Sequence, residues 1–163
     1  MVFQDFWLQL ELLPWVQHLA ATIWFPVVNS LHVLSVCLML GLLLMADLRL
    51  LGNAMLDGPA SLALKALLPL TVLAFLAAMV TGLALFMTRA ATHVTNPAFQ
   101  WKMVLLVLAG INVWVFHQRL YPCVVAAGGG RVMTAGVRAS AALSLVLWSG
   151  VMLSGRWIGH VFG

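Results

Sequence analysis

The sequence predicts an all-α integral membrane protein, a four-helix bundle with an N-terminal amphipathic interfacial helix. Composition is the first observation: 64% of the 163 residues are hydrophobic and 7% are charged, with a mean hydropathy of +1.08. A soluble domain carries roughly 25% charged residues because its surface must be wetted. The second is the presence of four apolar stretches, each long enough for a span, which needs roughly 20 residues. The third is the lack of the alternating pattern of a membrane barrel. Helices satisfy their own backbone hydrogen bonds in lipid and are the remaining solution. The length suits one transmembrane domain over residues 1–163.

Residues 3–17 place Phe3, Phe6, Trp7, Leu10, Leu13 and Pro14 at helical spacing, with Asp5, Gln9 and Glu11 elsewhere on the wheel. This reads as an amphipathic helix in the interface. The N-terminus has no Lys or Arg ahead of its apolar residues, so it is a poor signal peptide. Span one is about 24–51, with Pro26 in its first turn and Gly52 and Asn53 suited to its C-cap. Span two is about 63–88, with Pro69 about one turn inside. Span three is about 98–119, ended by Tyr121 and Pro122. Span four is about 137–160. The loop between spans three and four contains Gly128, Gly129 and Gly130, which makes it flexible. Two helical hairpins of this kind form a four-helix bundle.

Loop charge gives an orientation. The face with the N-terminus and second loop carries Arg89, Lys102 and Arg156. The opposite face carries Arg49, Lys65, Arg119, Arg131 and Arg138. Positive residues favour the cytoplasm. The expectation is a multi-pass protein of the bacterial inner membrane with both termini periplasmic. Trp7, Trp15, Trp24, Trp101 and Trp157 all fall on that outer face. They form an aromatic belt that anchors the bundle, or else the rim of a partner or cofactor site.

His32 is the most informative residue, because an ionisable group more than two turns inside a span is costly. Histidines in bundle interiors ligate haem iron or a metal, or relay protons; the plainer role is a neutral ring bonded to a neighbouring helix. His160, at the outer end of span four, is its natural companion. Arg156, one turn earlier, needs an anionic partner: a propionate, a lipid phosphate, Asp5 or Glu11. Gly150, Ser154, Gly155 and Gly159 keep this end slim for packing, or for the approach of a flat ring. His93 lies in the outer loop near Arg89 and Lys102, either solvated or acting as a ligand or proton gate. His18 reads as interfacial. His117 sits 15 residues beyond Lys102, on the order of 20 Å deeper, so it cannot share a mononuclear site with the outer histidines. Asn112 reads as an interhelical hydrogen-bond site or part of a second site. Asp47 and Arg49 read as structural, pairing with helix ends such as Arg119 or Arg138.

No nucleophile triad, Walker loop, HExxH or dinucleotide fingerprint occurs, and no catalytic residue set is legible. The methionines are scattered rather than spaced as a copper ladder. Cys37 and Cys123 form no CxxC pair, which argues against a disulfide or zinc framework. The net charge of +4 comes from scattered cations rather than a basic run. Anionic headgroups or a bound anionic cofactor are therefore expected instead of nucleic acid.

Several short motifs resemble an uncharacterised bacterial family of four-helix membrane proteins, over nearly the whole chain. They are Leu31-His32, the run Asp47-Leu48-Arg49-Leu50-Leu51-Gly52, then Gly82 and Phe86, then Asn96, Phe99 and Lys102, and finally Ser144, Trp148, Gly155 and Arg156. More distantly the chain looks like copper-resistance D-type membrane proteins and HemJ-type protoporphyrinogen oxidases, which share an early-span histidine, a third-span lysine and a later arginine. The resemblance implies a four-helix fold and, by analogy, haem b held through His32 with Lys102 nearby. Asn112 stands where the HemJ-type pattern has a third-span histidine, so the second axial ligand is sought at His160.

Three functions follow as expectations. The first is a haem b-binding, cytochrome-like subunit passing electrons between the quinone pool and a periplasmic redox protein. Its cofactor residues are His32, His160, Arg156, Lys102 and Arg89. The second is a non-catalytic anchor or assembly subunit of a larger complex, with other membrane subunits or further copies of itself as partners. The third is a copper-handling protein with His93, Met87 and His32 as outer ligands and His160 as a further candidate metal ligand.

Overall fold

The computed structural model describes residues 2–52, 60–126 and 134–159, and every regular element among them is helical. The elements are α1 (Val2–Glu11), α2 (Pro14–Ala21), α3 (Trp24–Leu50), α4 (Ala60–Met87), α5 (Ala90–Thr95), α6 (Pro97–Val115), a π-helical turn (Phe116–Leu120), α7 (Tyr121–Ala126) and α8 (Ala135–Trp157). Four segments are long and apolar enough to cross a membrane: Trp24–Leu50, Leu64–Met87, Pro97–Val125 and Ala135–Trp157.

Local chemistry accounts for the boundaries. The amphipathic segment is two helices rather than one, because Pro14 occupies the start of α2, where its missing N–H costs nothing. Gly52 ends α3 at φ +90°, and its N–H donates to the Arg49 carbonyl, the left-handed helix ending that favours glycine. The turn between spans two and three holds the short helix α5. Asn96 then caps α6: its Oδ1 accepts from Ala98 N at 2.9 Å, with Pro97 in the first turn. Buried to 3% exposure, Asn96 also donates from Nδ2 to the Ile158 carbonyl at 3.1 Å. One side chain thus starts α6 and ties it to the end of α8.

Span three runs beyond the expected stop at Tyr121 and Pro122. The chain widens into a π-turn, with Tyr121 N–H reaching back to the Phe116 carbonyl, and continues as α7. In an α-helical register the Pro122 ring would press on the carbonyl four residues back. The wider turn just ahead of it relieves that clash.

The helices pair as α3 with α4 and α6 with α8, and α3 against α8 joins the two hairpins. The interior is built from small residues, including Ala74, Ala78, Ala109, Ala141 and Ser144, which let backbones approach closely. One core cluster holds Met39, Ala74, Ala109, Leu147 and Trp148. A second, towards the Asp47 end, holds Leu50, Leu64, Phe116, Val124, Val137 and Ala141. Large apolar side chains cover the outside, among them Leu34 (65% exposed), Val80 (70%) and Val146 (69%). Water does not solvate such a surface and hydrocarbon does, so the bundle belongs in a bilayer.

Candidate functional site

His32 projects from α3 against α4. Its Nδ1 lies 3.0 Å from the Ala78 carbonyl oxygen and 3.1 Å from Thr81 Oγ1. A carbonyl only accepts, so Nδ1 carries the proton. The Thr81 hydroxyl donates to the Ala77 carbonyl at 2.6 Å and is left to accept from His32. The tautomer is thereby set by its partners: Nδ1–H donates, and Nε2 holds the lone pair. Gly82 makes room for the ring, since a Cβ there would stand 2.9 Å from His32 Cε1. A ligating histidine is held in the same manner, with its second nitrogen bonded to a carbonyl.

Lys102 is the second member. On α6 it extends along the small-residue end of α8, and a Cβ on Gly155 would lie 3.6 Å from Lys102 Nζ. Its charge acts on both His32 and His93. At this end the structure brings His32, Lys102 and His93 into electrostatic range of one another, with Arg89 acting on His93. Arg156 is exposed in the last turn of α8. His160 lies outside the described residues. Among the described residues, no three His, Cys, Asp or Glu side chains converge in a way that could hold a metal ion.

His93 is half-buried in an aromatic stack that sequence reasoning missed. Its ring lies 5.9 Å from Phe99 and nearly parallel to it, and Phe99 stacks on Phe86 at 5.2 Å. Trp7 of α1 meets Phe86 edge-on at 5.8 Å. Glu11 accepts from Ala91 N at 2.8 Å, so α1 is fastened to the end of α4 through Trp7 and to α5 through Glu11. The amphipathic segment therefore covers the end of the bundle. Sequence reading set Glu11 apart from Trp7 on the wheel, yet the two are four residues apart on one face and meet partners 80 and 79 residues away.

Burial, and then the Arg89 and Lys102 charges, hold the His93 imidazole below the ordinary histidine value of 6.5, with Glu11 pulling the other way. A histidine lowered on folding makes the unfolded state the better proton acceptor. Its contribution is complete above about 6.5 and is lost as pH falls through that value towards the lower folded one. The α1 and α5 amides are accordingly expected to lose protection between pH 7.5 and pH 5, their exchange slowing less than the intrinsic rate does. That loss of protection should vanish in His93→Gln.

A second feature lies in the middle of the bundle and towards the Asp47 end. α4 and α6 do not pack along their length, and between them is a cavity of about 430 Å³. Val72, Met79, Met103 and Val107 line it and are also 45–60% exposed, so it opens sideways onto the lipid-facing surface. Asp47, Ser144 and Trp148 lie at its inner wall. Asp47, expected to pair with an arginine, is 6% exposed. It accepts a hydrogen bond from Ser144, and no cation among the described residues acts on it. Burial removed it from the surface on which Arg119 and Arg138 are exposed. Asn112 is an interhelical clasp: Nδ2 donates to the Ser140 carbonyl at 3.1 Å, and Ser140 Oγ donates to Asn112 Oδ1 at 3.0 Å.

A model of a protein family described as a family of unknown function (DUF6644) matches residues 4–161. No curated protein matches the chain, and no solved structure does. The more distant likeness to copper-resistance and HemJ-type proteins thus gains no support from these comparisons.

Proposed function

This chain belongs to the DUF6644 family, and we propose that it is a haem b-binding membrane subunit carrying electrons between the quinone pool and a periplasmic redox partner. The observation that carries the reading is the state of His32: an intramembrane imidazole with Nδ1–H committed to Ala78 and Thr81, leaving Nε2 as a lone-pair donor. Haem b supplies a one-electron centre when bound and needs only axial protein ligands, so it does not require a cage of three side chains. His32 and His160 would hold the haem iron, His32 through Nε2. Lys102, Arg89 and Arg156 supply positive charge for propionates at the outer end. The same reading sets both termini on the periplasmic side of the inner membrane, following the loop charges.

Copper handling through His32, His93 and His160 is the weaker reading, because the sequence offers no closely spaced Met or His ligands for it. The anchor reading gives His32 no chemical task.

Titration of haem into purified protein in detergent tests the proposal. A Soret band saturating at one haem per chain is expected, and it should be lost in His32→Leu while helicity and elution volume stay unchanged. Equal binding to His32→Leu, or no binding to the natural sequence, would overturn it.

A further inference from the structure

We propose that the cavity between α4 and α6 is a binding site for a lipid-soluble quinol, entered sideways from the bilayer. The proposal gives a place to the quinone side of the electron path above but does not need the haem.

Two buried polar atoms at the cavity have no hydrogen-bond partner among the described residues, Asp47 Oδ2 and Trp148 Nε1. Both residues line the cavity and are more than nine-tenths buried, at 6% and 8% exposure. A buried polar atom left unpaired costs free energy comparable to a lost hydrogen bond. The two orphans are complementary in kind: the indole N–H only donates, and the carboxylate oxygen accepts. They are also near in height. Ser144 donates to Asp47, and Trp148 stands four residues along the same face of α8, about one turn of 5.4 Å away.

The walls set the rest of the ligand. Access lies between Val72 and Met79 on α4 and Met103 and Val107 on α6, so the ligand arrives through hydrocarbon and must itself be largely apolar. It must also offer a donor to Asp47 and an acceptor to Trp148 within one headgroup. A phospholipid tail has neither. A hydroxylated aromatic ring on an isoprenoid or alkyl chain has both: its O–H donates to Asp47 Oδ2, and an oxygen accepts from Trp148 Nε1–H. Phe75 meets Trp148 edge-on at 6.1 Å and lines the same cavity, which adds an aromatic wall. The volume of about 430 Å³ lies within the usual range for small-ligand sites, roughly 300–1,000 Å³.

The test uses haem-free protein in nanodiscs and decylubiquinol under argon, with binding read by calorimetry. One site per chain is expected. Trp148→Phe and Asp47→Leu should each weaken binding about tenfold. Decylbenzene, which lacks the oxygens, should bind at least tenfold more weakly than the quinol. Gly110→Leu adds a control that folds: a Cβ at Gly110 meets nothing within 4 Å, yet the residue lines the cavity, so the leucine should fill it and reduce binding. Equal affinity for decylbenzene would show a groove for lipid tails and overturn the proposal. So would binding unchanged in both Trp148→Phe and Gly110→Leu. Because haem is absent, failure here leaves the His32 reading standing, and failure of haem binding leaves this measurement unaffected.

Discussion

Gly82→Ala is expected to destabilise the bundle by about 1–3 kcal/mol and to displace the His32 ring. The added Cβ would lie 2.9 Å from His32 Cε1 and 3.3 Å from Nδ1, closer than carbon atoms pack. The ring cannot slide away along α4, because both of its hydrogen bonds, to Ala78 and Thr81, are made to that same helix. Relief requires the imidazole to leave α4 and give up both bonds, or α3 and α4 to separate. Helix propensity argues the other way, since alanine is better than glycine by about 1 kcal/mol. The sign of the result therefore decides whether contact or propensity governs this position. Detergent-to-SDS unfolding would measure it. The double variant with His32→Ala should recover most of the loss, because the two residues are in direct contact and their effects should couple. Under the proposed function, Gly82→Ala also weakens haem binding.

Asp47→Leu is expected to have the opposite sign, raising stability by about 1–3 kcal/mol. The natural carboxyl is buried with one oxygen bonded to Ser144 and the other unpaired. Apolar replacement removes that cost, and the adjoining cavity has space for the larger side chain. Ser144 can turn its hydroxyl to a carbonyl of its own helix, as serines in helices commonly do. The same unfolding assay reads the change, and loss of stability would show that the Ser144 bond outweighs the orphaned oxygen. A more stable variant that binds quinol more weakly would place Asp47 among residues kept at a stability cost for a binding role.

The two substitutions mark where the sequence could be read and where it could not. Span number and placement were legible, because a run of apolar residues has one physical solution in lipid. Gly52 announced the end of α3 through its backbone chemistry. Pro122 misled: its stop signal holds for an α-helical register, and the π-turn ahead of it changes that register. Pro14 divided the amphipathic segment into two helices within the range assigned to one. His32 stood out because its depth in an apolar run is itself unusual. Its tautomer was not legible, because Ala78, Thr81 and Gly82 are 46 to 50 positions away. Asp47 was read as an interface charge from its place near a span end. Its burial depends on Ser144 and Trp148 crossing α3 there, which no local pattern reports. The cavity was equally hidden, since it arises from which helices fail to pair rather than from any residue type.

If Nε2 of His32 is a haem ligand, the protein purified from membranes of haem-replete cells carries the spectrum of a b-type centre. A reduced-minus-oxidised difference spectrum should show paired α and Soret bands, absent from His32→Leu prepared in the same way. A flat spectrum from folded natural-sequence protein, or identical bands in His32→Leu, would contradict that ligation.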